Sequence, residues 1–95
     1  MKKHIQLSHD TIVKNDLGMH ARPAARIAKM AMTAEHDIWL SDGKTQVDAA
    51  SIIDILTLCA TKGACIYIQA ASSADAPVVD RIKSFFDDGF GELSE

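Results

Sequence analysis

A turn signal in the middle of the chain constrains the fold more than any other sequence feature. Asp42-Gly43 is a residue pair that favours tight hairpin turns, and it lies between the short segments Ile38-Trp39-Leu40 and Thr45-Gln46-Val47. The sequence therefore predicts a β-hairpin in the middle of the chain. Because the chain has only 95 residues, every other element must share one small core with this hairpin.

Two further strands are predicted on either side of the hairpin. Near the start, the sequence predicts a weak strand. One of its faces contains Ile5, Leu7, His9, Thr11 and Val13. Towards the end, residues 64–70 predict a strand that directs Ile66 and Ile68 to the same side.

Helical spacing separates these strands. A first helix is predicted from Ala21 to about Ala34, with a buried stripe of Pro23, Ile27, Met30 and Ala34. A short second helix is predicted after the N-cap Ser51 and ends near Gly63. A last helix is predicted after Ser72 or Ser73, with an apolar face formed by Val78, Val79, Ile82, Phe85 and Phe86. The order of elements predicts one α/β (α+β) domain over residues 1–95, a two-layer sandwich with four strands and three helices on one face.

Composition and charge exclude several classes of protein. No apolar run approaches the roughly 20 residues of a membrane helix, and no signal-peptide core follows Met1-Lys2-Lys3. Cys59 and Cys65 match no zinc or redox spacing and are interpreted as reduced, partly buried thiols of a cytoplasmic protein, with one disulfide as the alternative. The net charge of −3 argues against nucleic-acid binding, and the histidine spacings predict no metal.

One histidine lies at the predicted start of the first helix, close to unpaired backbone N–H groups and the positive end of the helix dipole. The run from Gly18 to Ala24 places His20 at the N-cap of the first helix, although histidine caps helices poorly. Unpaired N–H groups and the positive helix end favour an anion there and disfavour imidazolium, which keeps the ring nucleophilic. Arg22 could hold phosphate oxygens. This constellation predicts reversible phosphoryl transfer through His20.

These residues resemble a known family. The run Gly18-Met19-His20-Ala21-Arg22-Pro23-Ala24 and the later segment Ser51-Ile52-Ile53-Asp54-Ile55-Leu56 are similar to two motifs of the HPr family, the histidine-containing phosphocarriers of the bacterial phosphoenolpyruvate-dependent sugar phosphotransferase system. The resemblance covers about residues 5–90. It implies an open-faced sandwich with a four-stranded antiparallel sheet and three helices on one face, and it implies a carrier rather than an enzyme, without a cofactor.

The resemblance also implies partners and residue roles. His20 would accept a phosphoryl group on its δ1 nitrogen, as a pros-phosphohistidine, from enzyme I and pass it to the A component of a sugar permease, with Arg22 as the phosphate clamp. Ser51 would correspond to the serine that an HPr serine kinase/phosphorylase modifies in many bacteria. The family usually has a basic residue directly before that serine, whereas this chain has Ala50.

The second helix carries apolar residues on almost all sides, so some of them must face water or a partner. We expect Ile52, Ile53 and Leu56 to contact the apolar centre of a partner, while Arg26 and Lys29 meet its acidic rim. The expected carrier is a monomer that neither binds nucleic acid nor inserts into a membrane.

Two alternatives stay open. The chain could be a paralogue in a regulatory phosphotransfer chain that does not serve sugar uptake, because both branches share the histidine motif. It could also be a binding or regulatory module built on the same fold. Neither the sugar nor the permease can be deduced from the sequence.

Overall fold

Four antiparallel strands form a single sheet in the computed structural model, which describes residues 4–92. The strands are β1 (Leu7–Ile12), β2 (Ile38–Ser41), β3 (Gln46–Asp48) and β4 (Cys65–Ala70). Their order across the sheet is β1-β4-β2-β3. The predicted hairpin is confirmed as β2 and β3, which pair from Trp39 opposite Asp48 to Ser41 opposite Gln46. The parts of the predicted domain at residues 1–3 and 93–95 lie outside the described residues.

The last strand in the sequence lies in the interior of the sheet. β4 pairs with β1 from Leu7 opposite Ala70 to Ile12 opposite Cys65, and with β2 on its other edge. As predicted, Ile66 and Ile68 face the same side, and both are fully buried. The alternation of burial along this strand follows from the period of two in a β-strand.

Three helices cover one face of this sheet, as expected for an open-faced sandwich. They are α1 (Ala21–Ala31), α2 (Ile52–Leu56) and α3 (Ala76–Asp87), and α1 contacts both α2 and α3. The core between the layers contains mostly branched aliphatic side chains and two phenylalanines, the largest being Phe86, Phe90, Ile27, Leu40, Ile55, Ile66, Ile68 and Ile82.

The face of helix α1 that packs against the core contains more alanines than the sequence pattern predicts. Ala24, Ala28 and Ala31 are buried beside Pro23 and Ile27, whereas Met30 and Ala34 are only partly buried. Small side chains let the helix backbone lie close to its neighbours. The helix also ends at Ala31, before the predicted Ala34.

Two expectations about the segment after Ser51 are wrong. Helix α2 ends at Leu56 and not near Gly63, because the chain enters the left-handed region at Cys59 (φ 50°) and turns away. The backbone N–H of Gly63 instead donates to Val13 O at 2.8 Å, which ties this loop to the end of β1. Cys59 and Cys65 are both unpaired and exposed, not partly buried.

Gly18 fixes the close approach between the loop before α1 and the loop after α2. Its φ is +69°, a conformation that favours glycine, and a Cβ built there would lie 2.7 Å from Ala60 O and 3.1 Å from Thr61 Cα. Next to it, Met19 N–H donates to Ala60 O at 2.9 Å. No side chain fits at residue 18 without a shift of backbone.

The substitution Gly18→Ala is therefore expected to lower the free energy of unfolding by roughly 2–4 kcal/mol. Gly91→Ala is the matched control, because Gly91 has a similar φ of +73° but a Cβ added there would meet no atom within 4 Å. Denaturant unfolding of both variants separates the backbone clash from the φ strain that they share. Equal losses in the two variants would contradict the clash at Ala60.

Candidate functional site

His20 is the residue immediately before α1, as the sequence predicts. Its backbone is extended (φ −110°, ψ −172°), and its carbonyl accepts the first helical hydrogen bond, from Ala24 N–H at 3.1 Å. The imidazole makes no capping hydrogen bond to the helix. Because the ring does not serve as the cap, it is available for other contacts at the helix start, and its side chain is one-third exposed (33%).

The loop before His20 is held in place by hydrogen bonds on both sides. Gly18 N–H donates to Asn15 O at 3.2 Å, and the Asn15 amide Nδ2 donates to Gly18 O at 2.9 Å. Asn15 is itself buried, and so is Met19. These contacts fix the position of the histidine relative to the core.

A carboxylate from the far end of the chain completes the site. After α3, a 3₁₀ turn at Gly89–Gly91 leads to Glu92. One carboxylate oxygen, Oε2, lies 2.6 Å from His20 Nε2 and also accepts a hydrogen bond from Arg22 Nη2. The other oxygen, Oε1, accepts from Asn15 Nδ2 at 2.7 Å. His20, Arg22, Asn15 and Glu92 thus form one hydrogen-bonded cluster.

The Glu92 carboxylate is ionised in this setting. Partial burial raises its pKa, but the hydrogen bonds from Asn15 and His20, together with the positive charge of Arg22, outweigh burial, so the pKa of Glu92 lies below its ordinary value. Its side chain is only 11% exposed. The cluster at the start of α1 therefore already holds an anion.

The carboxylate also determines which nitrogen of His20 carries the proton. An ionised carboxylate only accepts hydrogen bonds, so the short contact at Nε2 requires an Nε2–H. In a neutral imidazole the lone pair then lies on Nδ1. The contact with Glu92 thus occupies Nε2 and leaves Nδ1 as the ring nitrogen without a partner in this cluster.

The other predicted residues lie on the outer surface of the helix layer. Ser51 is confirmed as the N-cap of α2, since its Oγ accepts from Asp54 N–H at 3.2 Å. Ile52 and Ile53 are exposed, by 41% and 76%, and Leu56 is half-buried. A shallow apolar groove between α1 and α2 is lined by Ala25, Ala28, Lys29, Met32, Ala50, Ser51, Ile52 and Ile53.

Arg26 does not join this groove. Its guanidinium lies 5.4 Å from the centre of the Phe85 ring, on the α3 side of α1, where a second groove brings it together with Lys29 and Arg81. Lys29 borders both grooves. The residues expected to dock a partner are therefore spread over both flanks of α1, with Lys29 between the two groups.

Sequence reasoning misses two members of the cluster, Glu92 and Asn15. In the sequence, Glu92 is one of several acidic residues near the end of the chain, and Asn15 is a residue that ends a strand. Glu92 lies 72 residues from His20, and no local pattern marks it. The pairing follows from the packing of α3 and the turn after it, which only the three-dimensional structure reveals.

Residues 4–92 contain neither a membrane-spanning helix nor a metal-binding cluster. No helix in this part of the chain is long and apolar enough to cross a membrane. In the same range, no three histidine, cysteine or acidic side chains converge to form a metal site.

Known proteins are similar to this chain in sequence. The family model for the PTS HPr component phosphorylation site matches residues 7–88. The chain is similar to phosphocarrier protein NPr of Proteus mirabilis, with 33% identity over 81 residues that cover 84% of this chain and 90% of that protein. It is also similar to phosphocarrier protein HPr of Chlamydia pneumoniae, with 33% identity over 88 residues that cover 93% and 82% of the two chains.

A solved structure extends the comparison to three dimensions. HPr-C-His from Thermoanaerobacter tengcongensis superposes with a TM-score of 0.85 at 26% identity, and the match covers 94% of this chain and 100% of that one. The family model spans both His20 and Arg22. This protein therefore belongs to the HPr family of the phosphotransferase system, and it is a phosphocarrier, not an enzyme in the strict sense.

Proposed function

We propose that this protein accepts a phosphoryl group on His20 from enzyme I and passes it to the A component of a sugar permease in the cytoplasm. The observation that carries the proposal is that His20 and Arg22 converge on one carboxylate oxygen of Glu92 at the start of α1, so the two side chains already hold an anion together. A nucleophilic nitrogen beside an anion-binding helix start suits a group that must be bound and then released.

The transfer requires only the His20 ring and its surroundings. The Nδ1 lone pair attacks phosphorus, the bond from phosphorus to the donor's nitrogen breaks, and the electron pair stays on the donor. The N–H groups of the first turn and the Arg22 guanidinium stabilise the charge on the phosphoryl oxygens. The reverse sequence delivers the group to the next protein, so the carrier needs neither a cofactor nor a metal.

The two grooves beside α1 supply a docking surface for both partners. In the groove towards α2, Ile52 and Ile53 are exposed and can contact an apolar surface of a partner. Leu56 is half-buried. Arg26 and Lys29 offer positive charge to an acidic surface. A partner that covers α1 in this way would place its own phosphorylated side chain at the helix start.

The comparisons also support the alternative role, in a regulatory phosphotransfer chain. The relatives include proteins named NPr as well as proteins named HPr, with similar identity to this chain. A role in a regulatory phosphotransfer chain, through the same His20 chemistry, is the alternative. Phosphorylation assays with the two kinds of upstream enzyme from one organism would separate these branches, because the faster donor identifies the pathway.

Ser51 is proposed as a regulatory position on the docking surface. Its hydroxyl caps α2 and borders the groove shared with Lys29 and Ile53. An HPr serine kinase/phosphorylase would be the modifying enzyme, although Ala50 departs from the basic residue that such sites usually have. A phosphate at Ser51 would lie within the surface that receives the partner.

The variant His20→Ala is expected to abolish phosphate acceptance and to leave the fold intact. His20 is the only side chain of the cluster with a nucleophilic nitrogen, and it provides no cap to α1. Mass spectrometry after incubation with phosphoenolpyruvate and enzyme I measures an acid-labile gain of one phosphate. His36→Ala is the control, because His36 is exposed and contacts Asp75, which is not part of the cluster. Phosphorylation of His20→Ala at the wild-type rate would disprove the assignment.

The variant Arg22→Ala is expected to slow transfer by roughly tenfold to a hundredfold, while docking changes little. The loss corresponds to one charge-assisted hydrogen bond to the phosphoryl group, worth about 1.5–3 kcal/mol. Rapid-quench kinetics at saturating enzyme I measures the transfer step itself. Lys44→Ala removes one positive charge from the exposed β2–β3 hairpin and is expected to transfer at the wild-type rate. If Arg22→Ala transfers as fast as this control, Arg22 is not the clamp.

The variant Ser51→Asp is expected to weaken the affinity for enzyme I by at least about tenfold at low salt without unfolding the chain. Aspartate is a good N-cap, so α2 keeps its cap, while the new charge repels an acidic partner. Two like charges about 10 Å apart repel by roughly 1–2 kcal/mol at an effective dielectric near 20. The loss should shrink as salt rises.

Ser73→Asp is the matched control for this experiment, because Ser73 is an exposed serine in the turn before α3, outside both grooves. Titration calorimetry at low and high salt gives the two affinities. If Ser51→Asp and Ser73→Asp bind enzyme I equally well at low salt, Ser51 is an N-cap only.

A further inference from the structure

The Glu92 carboxylate contacts three different side chains. Both carboxylate oxygens are engaged, Oε1 by Asn15 Nδ2 and Oε2 by His20 Nε2 and Arg22 Nη2. Three different residues therefore orient one carboxylate against the edge of the imidazole ring that bears Nε2.

The carboxylate is anchored on both sides. On one side, Asn15 is buried and donates to Gly18 O as well as to Glu92, which ties the carboxylate to the loop that carries His20. On the other side, Phe90 is 1% exposed, and its ring lies 4.9 Å from the ring of Phe86 and 5.2 Å from that of Phe85. Glu92 thus follows a residue that is fixed in the core.

We propose that Glu92 is the positioning residue of the phosphoryl acceptor: it holds the Nε2–H of His20 and so directs phosphorylation to Nδ1. The part that concerns phosphotransfer between proteins rests on the proposed function. The orienting effect on the imidazole is a property of the cluster itself, and a small phosphoryl donor can measure it.

The chemistry balances without another reactant. Nδ1 gives its lone pair to phosphorus, the bond from phosphorus to the donor's leaving nitrogen breaks, and the proton on Nε2 stays in place. The ring gains positive character when Nδ1 is phosphorylated, and the ionised Glu92 at 2.6 Å from Nε2 compensates for that charge. Arg22 contacts the same carboxylate, so it lies close enough to the ring to turn towards the incoming phosphoryl oxygens.

The same contacts allow an opposite role, in which Glu92 is a plug that occupies the anion site until a phosphoryl group displaces it. The anchoring by Asn15 favours positioning, because a plug should be held only by the groups that the phosphoryl oxygens will later use. The two roles predict opposite effects when Glu92 is removed, which makes them separable by experiment.

The test uses potassium phosphoramidate, which phosphorylates histidine without any protein partner. Its zwitterion transfers the phosphoryl group to an imidazole nitrogen and releases ammonia as the phosphorus–nitrogen bond breaks. Phosphorus-31 and nitrogen-15 NMR of the full chain then distinguish Nδ1-phosphohistidine from Nε2-phosphohistidine. The variant His20→Ala identifies the signals of the other histidines.

In the wild type, phosphoramidate should modify His20 at Nδ1. In Glu92→Ala, the ratio of Nε2 to Nδ1 product should rise by at least about tenfold, the effect of losing one charge-assisted hydrogen bond. Glu92→Gln keeps an acceptor oxygen but loses the charge, and it should give an intermediate ratio. Asp88→Asn is the control, because it removes the same charge from an exposed residue of the same segment and should leave the ratio unchanged.

An unchanged ratio in Glu92→Ala, with a wild-type-like amide spectrum, would overturn the positioning role. Transfer from enzyme I provides the second readout, and here Glu92→Ala should be about tenfold slower than wild type. Faster acceptance by Glu92→Ala would identify Glu92 as a plug and also overturn the proposal. If enzyme I fails to phosphorylate even the wild type, the proposed function fails, while the phosphoramidate ratio still decides whether Glu92 orients His20.

Discussion

The pairing of β1 with β4 is the contact on which the rest of the structure depends. It joins residues 7–12 to residues 65–70 and places β4 between β1 and β2. The chain leaving β1 and the chain entering β4 are thereby neighbours, and hydrogen bonds from Gly63 to Val13 and from Met19 to Ala60 continue the contact up to His20. Because α3 packs over β1 and β4, the turn after α3 also reaches this end of the sheet. The site is thus assembled where segments distant in the sequence meet.

An anion site that is already occupied has consequences for a carrier. A helix start with a nearby arginine attracts negative charge, and in this protein the ionised Glu92 carboxylate lies against that arginine. The unphosphorylated site therefore does not expose bare positive charge to the anions of its surroundings. In the proposed mechanism a phosphoryl group on Nδ1 would leave the Nε2 contact with Glu92 intact, while Arg22 would turn from the carboxylate towards the phosphoryl oxygens.

Local signals in the sequence predict what depends on local physics. The Asp42-Gly43 turn, the Ser51 cap and the position of His20 before α1 all follow from residues within a few places of one another, and the structure confirms each. The predicted end of α2 is wrong because the left-handed residue there is Cys59, a residue type that gives no turn signal. Glu92 escapes sequence reasoning because its partners are fixed by tertiary packing across most of the chain, and an acidic residue near a terminus has no periodicity to reveal its role.

In the proposed function, helix α1 carries both the reacting group and the docking surface, and this shared support links the two. Its start holds His20, its flank towards α2 borders an apolar groove, and its flank towards α3 presents Arg26 over Phe85. Lys29 borders both grooves, so a partner that covers α1 would meet apolar surface on one side and positive charge on the other. Because an 11-residue helix is about 16 Å long, contacts along its length can orient a partner without touching the ring. Under the proposed function, two successive partners would use the same surface in turn, with specificity in the flanks and the same chemistry at His20.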